Sequence, residues 1–172
     1  MAGLTPKSRQ IDDLPSLVQD AIDNPNENNF TDTREVTRPE AKRILDLIGH
    51  RVLGYVHVID GTSVRHILKD HSQDALPMTP DDILRIPEIT RDADTIEQGE
   101  EIRGLERLIY RKRENGQTIV IEEVRTRRAK LALVTAYKVP MDEAGATPVA
   151  PAVPGEALAH TSETTGVNVS NK

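Results

Sequence analysis

The chain has 172 residues, 37% of them hydrophobic but only four aromatic (Phe30, Tyr55, Tyr110 and Tyr137), so its core must be built from Ile, Leu and Val, enough for one modest domain with flanking segments. It has no cysteine, which excludes a disulfide framework, a thiolate nucleophile and a Cys-based zinc site, and no apolar run approaches the roughly 20 residues of a membrane span. The net charge of −6 argues against a nucleic-acid partner for the chain as a whole, yet residues 103–139 gather ten basic against four acidic side chains, a local +6 that suits either phosphate contact or solvated strand faces.

In chain order, Ile11, Leu14, Leu17, Val18 and Ile22 recur at helical spacing behind a cap at Asp13, with Pro15 in the first turn. The stretch DNPNENNFTDTREV that follows has no periodicity and reads as a linker, so residues 1–35 are expected to be a helix and linker outside the main domain. Thr37-Arg38-Pro39-Glu40 is a capping-box pattern, and Ala41, Ile44, Leu45 and Ile48 predict a helix over 38–48 that Gly49 ends.

The stretch YVHVIDGTSVRHILKDH, residues 55–71, then predicts a strand turning directly into a helix, with the break at Asp60-Gly61. On that helix Val64, Ile67, Leu68 and His71 share one side and Thr62, His66 and Lys69 the other. His71 is therefore expected to pack or to cap the helix end, whereas His66 is free for chemistry or simply solvated. His57, alternating with Tyr55 and Ile59, is expected to be a buried or half-buried structural residue. Thr79-Pro80-Asp81-Asp82 starts another helix, and residues 89–104 read as an acidic loop.

From Leu105 the period becomes two. Residues 108–113 and 117–124 predict strands joined by the turn Glu114-Asn115-Gly116, and 131–139 a third, with Leu131, Leu133, Thr135 and Tyr137 on one side. Residues 36–140 thus predict an α+β domain in which helices precede an antiparallel sheet. Residues 141–172, rich in Ala, Pro and Thr, are expected to be a disordered tail.

The runs VIDGTSVRHILKDH, TPDDILRIPEI, LIYRKRENGQTIVIEEVR and LALVTAYKV resemble the phage-associated nuclease domains of the barnase, EndoU, colicin and RelE-like group, over about residues 55–139. The resemblance implies a four-stranded antiparallel sheet behind helices and metal-independent cleavage of RNA, in domains found on phage head-morphogenesis proteins and in toxin cassettes. It also implies a site carried by His66, with His71 as a second candidate, and by Thr135 and Tyr137, with Arg65 and Lys138 beside them.

Cleaving RNA through its own 2′-hydroxyl needs a base, an acid and positive charge or donors on the phosphate. Histidine can serve as base or acid near neutrality, Tyr137 and Thr135 can donate, and Arg65, Arg125, Lys130 or Lys138 can neutralise phosphate. Glu122 and Glu123 project to opposite faces of their strand, so only one, here taken to be Glu123, can supply a carboxylate base. The plainer reading of that pair is charge pairing with its arginine neighbours.

No glycine-rich phosphate loop, HExxH or serine elbow occurs, and His66 and His71, five apart, do not share a helical face, so no metal or cofactor is assigned. The expected partner is RNA, with a cognate inhibitor or a phage structural protein as further candidates and no membrane. The expected location is the bacterial host cytoplasm or the virion. The alternative function is a non-catalytic, virion-associated module that binds nucleic acid or protein.

Overall fold

A computed structural model describes residues 7–141. The elements run α1 (Leu14–Asp23), β1 (Phe30–Glu35), α2 (Arg38–Ile48), β2 (Val56–Asp60), α3 (Gly61–Asp70), α4 (Pro80–Leu84), α5 (Ile86–Arg91), β3 (Thr95–Gln98), β4 (Arg107–Arg113), β5 (Gln117–Arg125), a 3₁₀ turn (Thr126–Arg128) and β6 (Lys130–Val139). The fold is α+β, built on a six-stranded sheet of order β1-β2-β6-β5-β4-β3 in which only the β2–β6 pair is parallel. Among the described residues no helix is long and apolar enough to cross a membrane.

The local signals act as their chemistry dictates. The Asp13 carboxylate accepts from the Ser16 amide at 2.8 Å to cap α1, and Thr37 and Glu40 close a reciprocal capping box on α2, which Gly49 ends at φ 73°. Asn115 and Gly116 both take positive φ, and a Cβ on Gly116 would meet the Val139 carbonyl at 2.8 Å, so the β4–β5 hairpin requires glycine there.

The structure corrects several expectations. The sheet has six strands rather than four. Two of the additional residue runs are short, polar strands that periodicity misses: Phe30–Glu35, read as linker, is β1, and Thr95–Gln98, inside the stretch read as acidic loop, is β3. Both lie at sheet edges, where alternate side chains face water and little apolar signal is needed. α1 also belongs to the core, with Leu17, Val18 and Ala21 buried. Of the tail expected to be disordered, residues 141–172, all but Met141 lie outside the described residues.

All five helices pack on one face of the sheet. Their buried residues, among them Leu17, Ile44, Val64, Ile67, Ile83 and Ile86, join Leu108, Tyr110, Val120, Val124, Leu131 and Leu133 in one core. The opposite face carries a second, smaller apolar cluster of Ile119, Ile121 and Tyr137, flanked by Ile109, Val134 and Val139.

Two β-bulges decide which side chains reach which face. In β1, Asp32 pairs with Val58 and Arg34 with His57, leaving Thr33 as the extra residue; in β6, Leu133 pairs with Glu122 and Thr135 with Ile121, leaving Val134 extra. Each bulge inverts the alternation beyond it. Leu131 and Leu133 therefore face the helices while Thr135 and Tyr137 face the other way, which corrects the single face expected for all four.

Candidate active site

β2 pairs with β6 only over Val56–Val58 and Lys130–Ala132, so the edge of β6 beyond Ala132 has no strand beside it. α3, which leaves β2 without a loop, fills that place. The Ser63 hydroxyl donates to the Leu133 carbonyl at 2.7 Å, satisfying the strand edge from a helix. The C-terminal end of α3 is thereby carried to Thr135 and Tyr137.

His71, the C-cap residue of α3, is where these elements meet. Its ring is 7% exposed and stacks on Tyr137, with centroids 5.4 Å apart and planes 23° apart. Nδ1 lies 2.7 Å from Asp74 Oδ2 and Nε2 lies 3.2 Å from Thr135 Oγ1. His66 stands edge-on to it at 6.2 Å between centroids, with Nδ1 2.6 Å from Asp70 Oδ2. The two histidines, expected to face different neighbours, therefore share one site. Helical wheels miss this because the helix ends at Asp70, so residue 71 no longer follows the wheel.

Each imidazole has a carboxylate on Nδ1, which places a proton on that nitrogen and leaves Nε2 for other partners, in His71 the buried Thr135 hydroxyl. Thr135 and Tyr137 are buried, while the His66 side chain keeps 31% of its surface accessible. The Tyr137 hydroxyl is buried with no hydrogen-bond partner among the described residues; burial pushes its pKa up, and the Arg111 charge opposes that only in part, so it stays a donor at neutral pH. Arg111 itself is buried, with Nε 2.9 Å from Glu97 and Nη1 3.2 Å from Gln117 Oε1.

The remaining sequence candidates lie elsewhere. Arg65 turns toward α1, where Nη1 donates to the Ala21 carbonyl at 3.4 Å. Lys138 lies 2.8 Å from Asp82; burial disfavours ionisation of that carboxyl, but Lys138 and Thr79 hold it below the usual range. Glu123 receives Arg125 Nε at 3.1 Å and lies 4.0 Å from Arg107, and Lys130 binds Asp32 at 2.6 Å. Arg125 and Lys130 face each other at the far end of the β5–β6 pair.

Glu122 does not face the histidine pair. It joins a buried group on the helical side, in which His57 Nδ1 lies 2.9 Å from Glu122 and Nε2 lies 3.1 Å from Glu40, while Arg34 donates to both oxygens of Glu40 at 2.8 and 2.9 Å. Burial pulls the His57 pKa down, but the carboxylates of Glu122 and Glu40 outweigh it and raise it to about 9; Glu40, also opposed by burial, is held at about 2 by His57 and Arg34. His57 is thus the buried structural histidine expected from its alternation.

Sequence reading passed over Asp70, Asp74 and Arg111. A signal for the aspartates was present, since each lies three or four residues after a histidine. Arg111 offered none, because it is one of several cations in a basic strand.

A family model described as phage-Barnase-EndoU-ColicinE5/D-RelE like nuclease3 matches residues 34–144. No curated protein and no solved structure matches the chain.

Proposed function

The chain belongs to the phage-associated barnase, EndoU, colicin E5/D and RelE-like nuclease family, and from that premise we propose that it is a metal-independent endoribonuclease, encoded by a phage as a toxin or effector module. The observation that carries the reading is the pairing of two carboxylate-bound imidazoles, His66 and His71, around one buried Thr135–Tyr137 edge.

His66, the more accessible ring, takes the proton of the ribose 2′-hydroxyl on Nε2. The 2′-oxygen then bonds to phosphorus, the bond from phosphorus to the 5′-oxygen breaks, and protonated His71 gives its Nε2 proton to that leaving oxygen. Asp70 and Asp74 hold each ring by Nδ1, so that Nε2 is the nitrogen that handles the reacting proton. The Tyr137 hydroxyl and Arg111 supply a donor and a cation for the phosphate oxygens. The products are a 2′,3′-cyclic phosphate and a free 5′-hydroxyl, and every proton is carried by a side chain.

The test is incubation with total RNA in a chelator, followed by analysis of the ends. Cyclic phosphate termini that disappear in His66→Ala support the reading. Intact RNA, or cleavage that needs added metal, ends it. A second reading, a non-catalytic module that binds nucleic acid or a virion protein, draws on the burial of His71, Thr135 and Tyr137, each less than a tenth exposed; retained RNA binding without cleavage favours it.

A further inference from the structure

On the same face of the sheet as Thr135 and Tyr137, but at the opposite end of β6, lies a cavity of about 220 Å³ lined by Ser8, Asn28, Phe30, Val58, Asp60, Arg125, Arg128 and Lys130. Its position follows from register: Lys130 pairs with both Val56 and Arg125, and Asp32 with Val58, so these side chains share the face turned away from the helices.

Its chemistry is divided. One wall is basic. Glu123 holds Arg125 by Nε and Asp32 holds Lys130, but Arg128, exposed on the 3₁₀ turn, has no carboxylate partner among the described residues. The other wall is apolar and aromatic: Val58 and Phe30, the one phenylalanine of a chain with only four aromatic residues. Asn28 accepts from the Thr62 amide through Oδ1, which leaves its NH₂ group as a donor, and Asp60 is occupied by the Ser63 amide as the N-cap of α3. A cation with no internal counter-charge beside a flat aromatic surface matches the two parts of a nucleotide, phosphate and base.

We propose that this cavity is a second nucleotide subsite, which holds a phosphate and its base from the RNA chain at a distance from the bond that is cut. The proposal rests on the nuclease reading only for the identity of the polymer. Because the bulge takes up Val134, Lys130 and Thr135 lie opposite Arg125 and Ile121, four strand steps apart, about 13 Å. A stacked strand advances about 3.4 Å per nucleotide, so the two sites lie about four nucleotides apart, fewer if the chain is extended. The subsite makes affinity depend on substrate length.

The experiment uses the full chain and fluorescein-labelled 2′-O-methyl oligonucleotides, which lack the attacking hydroxyl, with anisotropy read at several salt concentrations. A ten-nucleotide strand is expected to bind at least about tenfold tighter than a dinucleotide. Arg128→Gln, an exposed change that spares the fold, should weaken the longer strand by about tenfold and reduce its salt slope by about one, as loss of a phosphate contact does. Phe30→Leu should weaken it without changing the slope.

Equal binding of the long strand by Arg128→Gln and the unaltered protein overturns the proposal, as does equal affinity for the two lengths. Adenosine 5′-monophosphate is titrated alone. If it matches the ten-nucleotide strand in affinity and in sensitivity to Arg128→Gln, the site serves free nucleotides and the chain-spanning subsite is overturned. Because nothing is cut in this assay, a protein that binds as expected but leaves RNA intact loses the nuclease reading and keeps the subsite.

Discussion

His57 and the His66–His71 pair show what the same side chain becomes in two settings. His57 lies between Glu40 and Glu122 with Arg34 behind it, two positive and two negative groups closed off on the helical side of the sheet. His66 and His71 have one carboxylate each, always on Nδ1, and their other nitrogens face a hydroxyl or open space. A histidine with charges on both nitrogens is locked and cannot exchange protons with a substrate, whereas one held at a single nitrogen keeps the other for use. The number of ring nitrogens bound to carboxylate, rather than burial alone, separates His57 from the pair proposed for catalysis.

The largest effect is expected from removing what the two regions share. Residues 1–35 hold Arg34 of the His57 group and α1, which packs on α3 and accepts an Arg65 contact at the Ala21 carbonyl. A protein starting at residue 36 should lose its cooperative unfolding transition in calorimetry. A sharp transition near that of the full chain would show that the histidine settings stand without α1 and β1.

Next in size is Glu40→Ala. It leaves the buried His57 and the partly buried Arg34 without their shared counter-charge and removes the N-cap partner of α2, a loss expected at about 3–5 kcal/mol in urea unfolding. A loss under about 1 kcal/mol would mean that water reaches the group, and the contrast with the open pair would collapse.

The open pair is tested by activity. His66→Ala should lower RNA cleavage by about 10²- to 10⁴-fold, the range of a general acid or base, while stability stays within about 0.5 kcal/mol. His71→Ala should lose cleavage and also about 1–3 kcal/mol, because its ring is buried on Tyr137 and bonded to Thr135. Equal stability losses in the two variants would remove the distinction between them.

The pH profile sharpens the same contrast. His57, raised to about 9 from an ordinary 6.5, contributes stability in full below 6.5 and loses it as pH climbs through about 9. Glu40, lowered to about 2 from 4.5, contributes in full above 4.5 and loses it as pH falls toward 2. Both contributions are complete between pH 4.5 and 6.5, so urea-unfolding stability should decline from 6.5 to 9, and His57→Gln should flatten that limb. A stability that rises over this interval would contradict a charged His57.

The smallest effect is expected for Tyr137→Phe. Removing a buried hydroxyl that has no partner should leave stability unchanged or raise it by up to about 1 kcal/mol, while one lost donor slows cleavage by about tenfold. Unchanged cleavage would remove Tyr137 from the site and leave it as packing.

What the sequence made legible follows from how local each signal is. The capping box at Thr37–Glu40, the Gly49 stop, the Asn115-Gly116 turn and the elbow at Asp60-Gly61 are set by neighbours in the chain and stand where they were read. The edge strands β1 and β3 were missed because their residues are polar and find their place only by pairing. Glu40 was visible as a cap, but its second partner, His57, is 17 residues away and reached only through the fold. Of the candidate site, the set His66, His71, Thr135 and Tyr137 came from the family resemblance, with only His66 also singled out by its helical position, whereas Arg65, Lys138, Arg125 and Lys130 were grouped by charge and are scattered by geometry.

The extra residues Thr33 and Val134 make chain length, rather than residue identity, the sensitive variable at two points. The first turns Arg34 toward His57 while Asp32 goes to Lys130; the second sends Thr135 and Tyr137 to His71 instead of into the helical core. Were the bulge flattened with Val134 kept, strict alternation from Leu133 would turn Thr135 and Tyr137 into the helical core and bring Ala136 and Lys138 to the histidine pair, as a shift of reading frame changes every codon after it. A one-residue insertion or deletion in β6 therefore keeps the site only where a bulge forms or vanishes to absorb it: losing Val134 together with its bulge leaves Thr135 beside Ile121 and every facing unchanged, whereas losing a residue elsewhere in the strand would exchange inside for outside in a single step.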